Sequence, residues 1–534
     1  MIQRAKRFVK VALVAICLLA LSPAAGVQAH AGLEGSEPKP SSWLATSPSE
    51  IVLHFDESVS VIFARIKIID QEGNEIGEFR PTRDASDPST VRANIDKLGD
   101  GTWVVVWRVA SADSHPVQGS FAFSVGTSSS DVTALLNGSL STRHGLNNLF
   151  NVIRFVMFAG VLALIGGIGL ITFASHAQLT VRTRMSLWGA WALATFASIE
   201  ALFAYGPHAS GVKVYNFTDL SLLSDTMTTT FGQATLLRIS LLLAFVLLLM
   251  TLELRAKKLW RFGAIGLSFA IAATLSAVGH PSGESLKALS ISLDVMHLLA
   301  ASLWIGALFL IAIDRSNWLH SSMSMLRFSR VAGYSVGIIL VTGSIQTLLL
   351  IDDPQNLFVT EFGQKLSVKV ALVGVLIAIG GISRKTIRKF GPAKLHQSVL
   401  VESLIALLVV GITALIVALP PREQASFAPV EVSLSQSGLI ADVTVTPARV
   451  GAAEIHFVIG SLQGSFAQMT SVTARMALPG KDIPMGPIDL IRTSPNHYSA
   501  VVNFAYAGNW NMEFLVKPLP TKTVLFAFEI KVNE

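Results

Sequence analysis

Cysteine is almost absent from this 534-residue chain: the only one, Cys17, lies near its start. Without a second thiol there can be no disulfide framework, thiolate zinc site or cysteine-ligated iron–sulfur cluster, so a soft-metal site must use His, Met or carboxylate. Charge is scarce too. Asp, Glu, Lys and Arg supply 14% of residues and the hydrophobic class 51%, where a soluble globular chain is about 25% charged. That balance excludes disordered and collagen-like classes and argues against a purely soluble protein. The formal charge of +6 implies no nucleic-acid partner, since Arg4, Lys6, Arg7 and Lys10 stand in an acid-free opening segment and the remainder carries only +2. No methionine falls between Met1 and Met157. No Walker A motif or phosphorylation loop occurs, which speaks against ATP-driven pumping.

Residues 1–29 read as a secretory signal: a basic stretch, an apolar run from Val11 to Leu21, then Ala24-Ala25-Gly26-Val27-Gln28-Ala29. Val27 and Ala29 place the cut before His30. Ile16 before Cys17 fits a lipoprotein signal poorly, and the apolar run is short for an anchor helix.

Hydropathy divides the rest. Residues 30–126 are polar with short alternating runs such as Ile51-Val-Leu-His-Phe55 and Trp103-Val-Val-Val-Trp107, the pattern of a small β-sandwich. A Ser/Thr-rich linker occupies 127–145. Within 146–420, eight apolar stretches are long enough to cross a bilayer as helices, at 149–174, 185–205, 234–253, 261–279, 289–313, 329–351, 366–383 and 397–419. Alternation returns at 425–534, where a second all-β sandwich is expected. The fold class is therefore multidomain: an extracytoplasmic all-β sandwich, an eight-helix transmembrane domain and a carboxyl-terminal all-β sandwich.

The loops after helices 1, 3, 5 and 7 carry fourteen Lys and Arg, against Lys213, Lys287 and Lys365 in the others. The positive-inside rule puts the first set in the cytoplasm and both β-domains outside a multi-pass cell-membrane protein. The helical region is also read as duplicated. Phe231-Gly232-Gln233 with Arg238 recurs as Phe362-Gly363-Gln364 with Lys369, and Val156-Met157-Phe158 with Gly167 pairs with Val295-Met296-His297 and Gly306. Four spans separate the copies, so the repeat is parallel.

A chain starting at His30 offers an amine and an imidazole nitrogen that close a chelate ring, a donor set suited to Cu(II) when a carboxylate joins it. Asp113 and His115 are two apart, so an extended segment would put both on one face. The plain alternative is a turn aspartate and a surface histidine.

His30-Ala31 with Ser36-x-Pro38, Leu53-x-Phe55 and Asp113-Ser-His115-Pro116-Val-x-Gly119-Ser-Phe121-x-Phe123-x-Val125 resembles the CopC family of secreted copper-binding β-sandwiches. The eight spans resemble the CopD membrane family, through His297 and Leu298-Leu-Ala-Ala-Ser-Leu-Trp304-Ile-Gly306. Gly508-Asn-Trp510 gives the last domain a weaker likeness to small YtkA-like sandwiches. The first resemblance implies a Cu(II) site of His30, through amine and imidazole, with Asp113 and His115. The Met-rich Cu(I) site of some members lacks its methionines here.

Ionisable and thioether residues within spans are the candidates for a copper path: His297 with Met296 in helix 5, His208 and His280 near the outer ends of helices 2 and 4, Met157, and the repeated Arg238 and Lys369. The alternatives are interfacial histidines capping helix ends, packing methionines, and basic chains snorkelling from one turn inside their helices. His456, His497 and four methionines of the last domain form no recognisable ligand spacing.

The reading favoured is a copper importer, with copper ions and the lipid bilayer as partners, an external copper donor or reductant beside them, and Cu(I) as a form crossing the membrane domain. Copper tolerance by sequestration or export is the first alternative. A haem-bearing redox membrane protein is the second. No residue constellation supports an enzyme acting on an organic substrate.

Overall fold

The structure is a computed structural model describing residues 31–39, 42–112, 114–126, 144–173, 179–211, 219–280, 286–351, 354, 356–419, 430–446, 448–461, 469–481, 483–494 and 496–532. His30, Asp113, the leader and most of the linker lie outside the described residues. The chain forms two compact units. One comprises Met1–Ala31, Val109–Val117 and Arg143–Arg422; the other Gly32–Arg108, Gln118–Thr142 and Glu423–Glu534.

The amino-terminal strands form two sheets. One has the order β1 (Leu33–Glu37), β3 (Glu50–Phe55), β7 (Thr90–Asn94), β6 (Thr82–Arg83). The other runs β2 (Trp43–Leu44), β9 (Pro116–Val125), β8 (Gly101–Ala110), β4 (Ser60–Ile69), β5 (Glu75–Phe79). Alternation along β9 buries Phe121, Phe123 and Val125, and Phe55 meets Trp107 edge-on with ring centroids 5.3 Å apart. Gly119 lets this indole lie against the backbone, since a Cβ there would stand 2.4 Å from it. Gly32 is fixed by reciprocal bonds with Asp56: its N–H donates to Oδ1 at 2.6 Å, and its carbonyl accepts from the Asp56 N–H at 3.0 Å.

Among the described residues, eight helices are long and apolar enough to cross a membrane. They are α1 (His144–Phe173), α2 (Val181–Ser210), α3 (Thr230–Met250), α4 (Lys258–Ser276), α5 (Lys287–Ile313), α6 (Ser322–Leu350), α7 (Glu361–Phe390) and α8 (His396–Ile416). The expected starts of α3 and α7 are four or five residues late because each helix begins on a threonine cap. Thr229 Oγ1 accepts from the Gly232 N–H and Thr360 Oγ1 from the Gly363 N–H, both at 3.0 Å.

Helices α1 and α5 cross at backbone contact. A Cβ on Gly306 would lie 1.7 Å from the Leu162 carbonyl oxygen, and one on Gly166 would lie 2.0 Å from that of Ser302. Small residues permit such approach where apolar side chains gain nothing over lipid. Gly167, the position matched to Gly306 in the repeat, faces the Leu187 side chain, 2.6 Å from where its Cβ would stand. At the crossing, Ser302–Gly306 forms one π-helical turn, a common device for re-aiming a helix.

The carboxyl-terminal strands form a second sandwich, as expected. One sheet is β10 (Val430–Gln436), β11 (Leu439–Thr446), β12 (Gly451–Ser461), β16 (His497–Phe504), β15 (Ile491–Ser494). The other is β14 (Ile483–Ile488), β13 (Ser471–Leu478), β17 (Gly508–Leu519), β18 (Lys522–Val532). Its core includes Phe457, Phe504, Trp510, Phe514 and Phe526.

Candidate functional site

The segment between β8 and β9 belongs to the helical unit. It is a tight turn rather than the extended stretch the D-x-H spacing suggested. The Ser111 N–H and hydroxyl both donate to the His115 carbonyl, at 2.9 and 3.1 Å, and the Ser114 N–H donates to the Ser111 carbonyl at 3.0 Å. Ser114 takes the left-handed conformation at φ 71°, uncommon for a non-glycine residue. Asp113 lies outside the described residues, while His115 is held by the turn.

His115 is buried, and its Nε2 lies 2.8 Å from the Val417 carbonyl oxygen. A carbonyl only accepts, so Nε2 carries the proton and Nδ1 the lone pair, the neutral form a metal ligand needs, with the other nitrogen anchored. The His115 ring stacks on His280 at 5.2 Å and 18°. The Tyr205 hydroxyl donates to the Ser114 carbonyl at 2.8 Å, and Phe362 meets the His280 ring edge-on at 5.9 Å. His208 stacks on Phe150 at 4.6 Å. His208 and His280 are buried rather than interfacial caps.

Deeper in the same unit, α5 and α6 share a polar ladder. Asp294 and His297, at i and i+3, lie on one face of α5; Thr342 and Gln346, at i and i+4, lie on one face of α6. Gln346 Nε2 donates to Asp294 Oδ1 at 3.2 Å, the Ser276 hydroxyl to Oδ2 at 2.6 Å, and His297 Nδ1 meets Thr342 Oγ1 at 2.9 Å. Lys369 on α7 is within electrostatic reach of both Asp294 and His297, and His280 of Asp294. Asp294 was missed in the sequence, although its i, i+3 relation to His297 was the available signal.

Other expectations change. Arg238 does not snorkel: it is 1% exposed and two turns inside α3, because the Thr229 cap moves the helix start upstream. It donates to Thr274 Oγ1 at 3.1 Å, the Thr274 carbonyl at 3.0 Å and Met157 Sδ at 3.0 Å. Met296 does not flank His297 but is 45% exposed, since adjacent helical residues point about 100° apart.

In the second sandwich, His456 on β12 and His497 on β16 are both buried, with Nδ1 and Nε2 3.0 Å apart. Glu454 Oε1 is 3.6 Å from His456 Nε2. Burial, then the neighbouring His456, pushes His497 down to about 4. This pairing was not visible from spacing. Among the described residues, no group of three or more His, Cys, Asp or Glu is arranged to hold a metal.

Eight helices long and apolar enough to cross a membrane, in a chain that also carries two β-sandwiches, define a multi-pass membrane protein. Comparison with known families narrows this. Residues 33–126 match the CopC domain, 146–286 the copper resistance protein D-like N-terminal domain, and 322–416 copper resistance protein D. The chain belongs to the CopC–CopD fusion proteins, which are copper transport and resistance proteins. It is 23% identical to the copper transport protein CutJ of Bacillus subtilis (strain 168) over 442 residues, covering 79% of this chain and 80% of that one. Copper resistance protein C of Pseudomonas syringae pv. tomato is 34% identical over 104 residues, 18% of this chain and 82% of its own. The crystal structure of CopC from Methylosinus trichosporium OB3b is 28% identical, with a TM-score of 0.18, over 19% of this chain and 99% of that one.

Proposed function

We propose that this protein captures Cu(II) outside the cell and passes copper inward through its eight helices. Processing before His30 would free its amine and imidazole to bind with Asp113 and His115, and the distribution of basic loops favours both sandwiches outside. The observation that carries the reading is the stack of His115 on His280 at 5.2 Å. One imidazole belongs to the family motif and the other stands just beyond the end of α4, so a ligand exchange between them needs no long diffusion. An external copper donor would load the first, and the polar ladder below His280 supplies the onward lining.

The name of CutJ favours transport. Resistance proteins among the relatives favour the second reading, tolerance by sequestration or export. A haem role draws no support from His297, which is closed in by Thr342 and by Gly343, where a Cβ would lie 3.3 Å from its Cε1.

Cellular copper in a deletion strain under scarcity tests direction. An importer mutant becomes copper-poor and His115→Ala or His280→Ala reproduces the deficit, whereas a copper-rich deletion strain overturns import. EPR on a secreted fragment of residues 30–126, with and without one extra residue before His30, tests capture. Tetragonal Cu(II) in the first and marked weakening in the second is the expected result.

A further inference from the structure

We infer that Asp294 and His297, framed by Ser276, Thr342 and Gln346, form a nitrogen–oxygen site for Cu(II) in the membrane domain, and that Lys369 is the resident counter-charge copper must displace. The inference rests on the reading that copper crosses this domain.

The tautomer of His297 follows from its neighbour. The Thr342 hydroxyl donates to the Ile338 carbonyl at 2.7 Å, so its single proton is used and Oγ1 accepts from His297 Nδ1–H at 2.9 Å. Nε2 then carries the lone pair, and the ring is oriented by its other nitrogen as a ligating histidine usually is. Both oxygens of Asp294 accept one bond, from Gln346 at 3.2 Å and Ser276 at 2.6 Å. Each keeps a lone pair for a cation.

Donor chemistry selects the oxidation state. Carboxylate oxygen and imidazole nitrogen suit Cu(II), whereas Cu(I) is selected by thioether and thiolate sulfur. The two span methionines expected to serve Cu(I) are elsewhere: Met296 is 45% exposed and Met157 accepts from Arg238. Copper captured as Cu(II) can therefore reach this site with no electron added.

Charge selects the role of Lys369. A carboxylate among apolar helices is stabilised by a positive neighbour, and Lys369 on α7 is within electrostatic reach of both Asp294 and His297. Cation and ammonium compete for the same carboxylate, so the empty and loaded sites each hold a compensated charge.

The test uses the full chain in lipid nanodiscs, with His30→Ala and His115→Ala in every arm to remove both imidazoles of the external centre, titrated with Cu(II) and followed by EPR. The parent should bind with mixed nitrogen and oxygen ligation. Lys369→Met should tighten binding roughly tenfold, His297→Gln should weaken it by about 10–100-fold, and the double variant Asp294→Asn/Lys369→Met should weaken it as much. The double variant carries no buried charge at this pair, so its folding does not depend on the missing partner. Binding by the double variant as tight as by Lys369→Met overturns the site. Unchanged binding in Lys369→Met overturns the counter-charge. Uptake of Cu(I) but not Cu(II) overturns the oxidation state. Because both external imidazoles are absent throughout, failure of external capture in cells leaves these outcomes independent.

Discussion

The two halves of the helical domain share a frame and differ in what lines it. Helices α3 and α7 start alike: a threonine caps the third residue on at 3.0 Å in each, and a Cβ on Gly232 or Gly363 would lie 1.9 or 2.0 Å from the carbonyl of Thr226 or Asn356. Six residues after that glycine stands a cation, Arg238 in one half and Lys369 in the other. Arg238 bonds a hydroxyl, a carbonyl and a thioether, while Lys369 is within electrostatic reach of a carboxylate and an imidazole. Where α5 has Asp294 and His297, the matching positions of α1 are Phe155 and Phe158. The two halves thus share the way their third helices begin and differ in that two aromatic rings of one stand where the other has two polar groups.

The seam that joins the halves should be the most sensitive. Gly306→Val puts side-chain atoms into the α1 backbone, where no rotamer relieves the contact, and should cost more than about 4 kcal/mol, beyond ordinary overpacking. The measurement is folded yield and melting in detergent, with Gly189→Ala as control. Nothing lies within 4 Å of a Cβ at Gly189, so that change should stabilise by up to about 1 kcal/mol.

Next in size are the charges. Asp294→Leu removes a carboxylate that accepts from Ser276 and Gln346 and lies within electrostatic reach of Lys369, so it and Lys369→Met should each cost about 2–3 kcal/mol. Phe155→Leu, the matched change in the other half, should cost about 1 kcal/mol. Arg238→Met breaks only bonds to neutral groups and should cost about 1–2 kcal/mol. Equal losses for Arg238→Met and Lys369→Met in thermal melts would erase the distinction between the halves.

Much of this was legible in the chain. Spans average hydropathy over many residues, so their number and order were readable, and the repeated Phe-Gly-Gln marked both helix starts. The polar ladder was not. One aspartate disappears into the mean of an apolar helix, and its partners Ser276 and Gln346 lie 18 and 52 residues away. His456 and His497 are separated by 41 residues and meet only through the pairing of β12 with β16. The turn at Ser114 was not legible because its left-handed backbone has no signature in serine, and the exposure of Met296 was not because sequence adjacency is not adjacency on a helix face.

The smallest effect tests what the halves still have in common. Thr229 and Thr360 each satisfy one helix amide in the first turn, which water cannot do at depth as cheaply as at a surface. Thr229→Ala and Thr360→Ala should each cost about 1 kcal/mol, and serine at either position should restore most of it because the hydroxyl is what accepts. The losses should be equal within about 0.5 kcal/mol and additive in the double variant, since the caps share no partner. Unequal losses in paired melts would show that the second half leans on its cap more heavily, as expected only if Lys369 strains the first turns of α7.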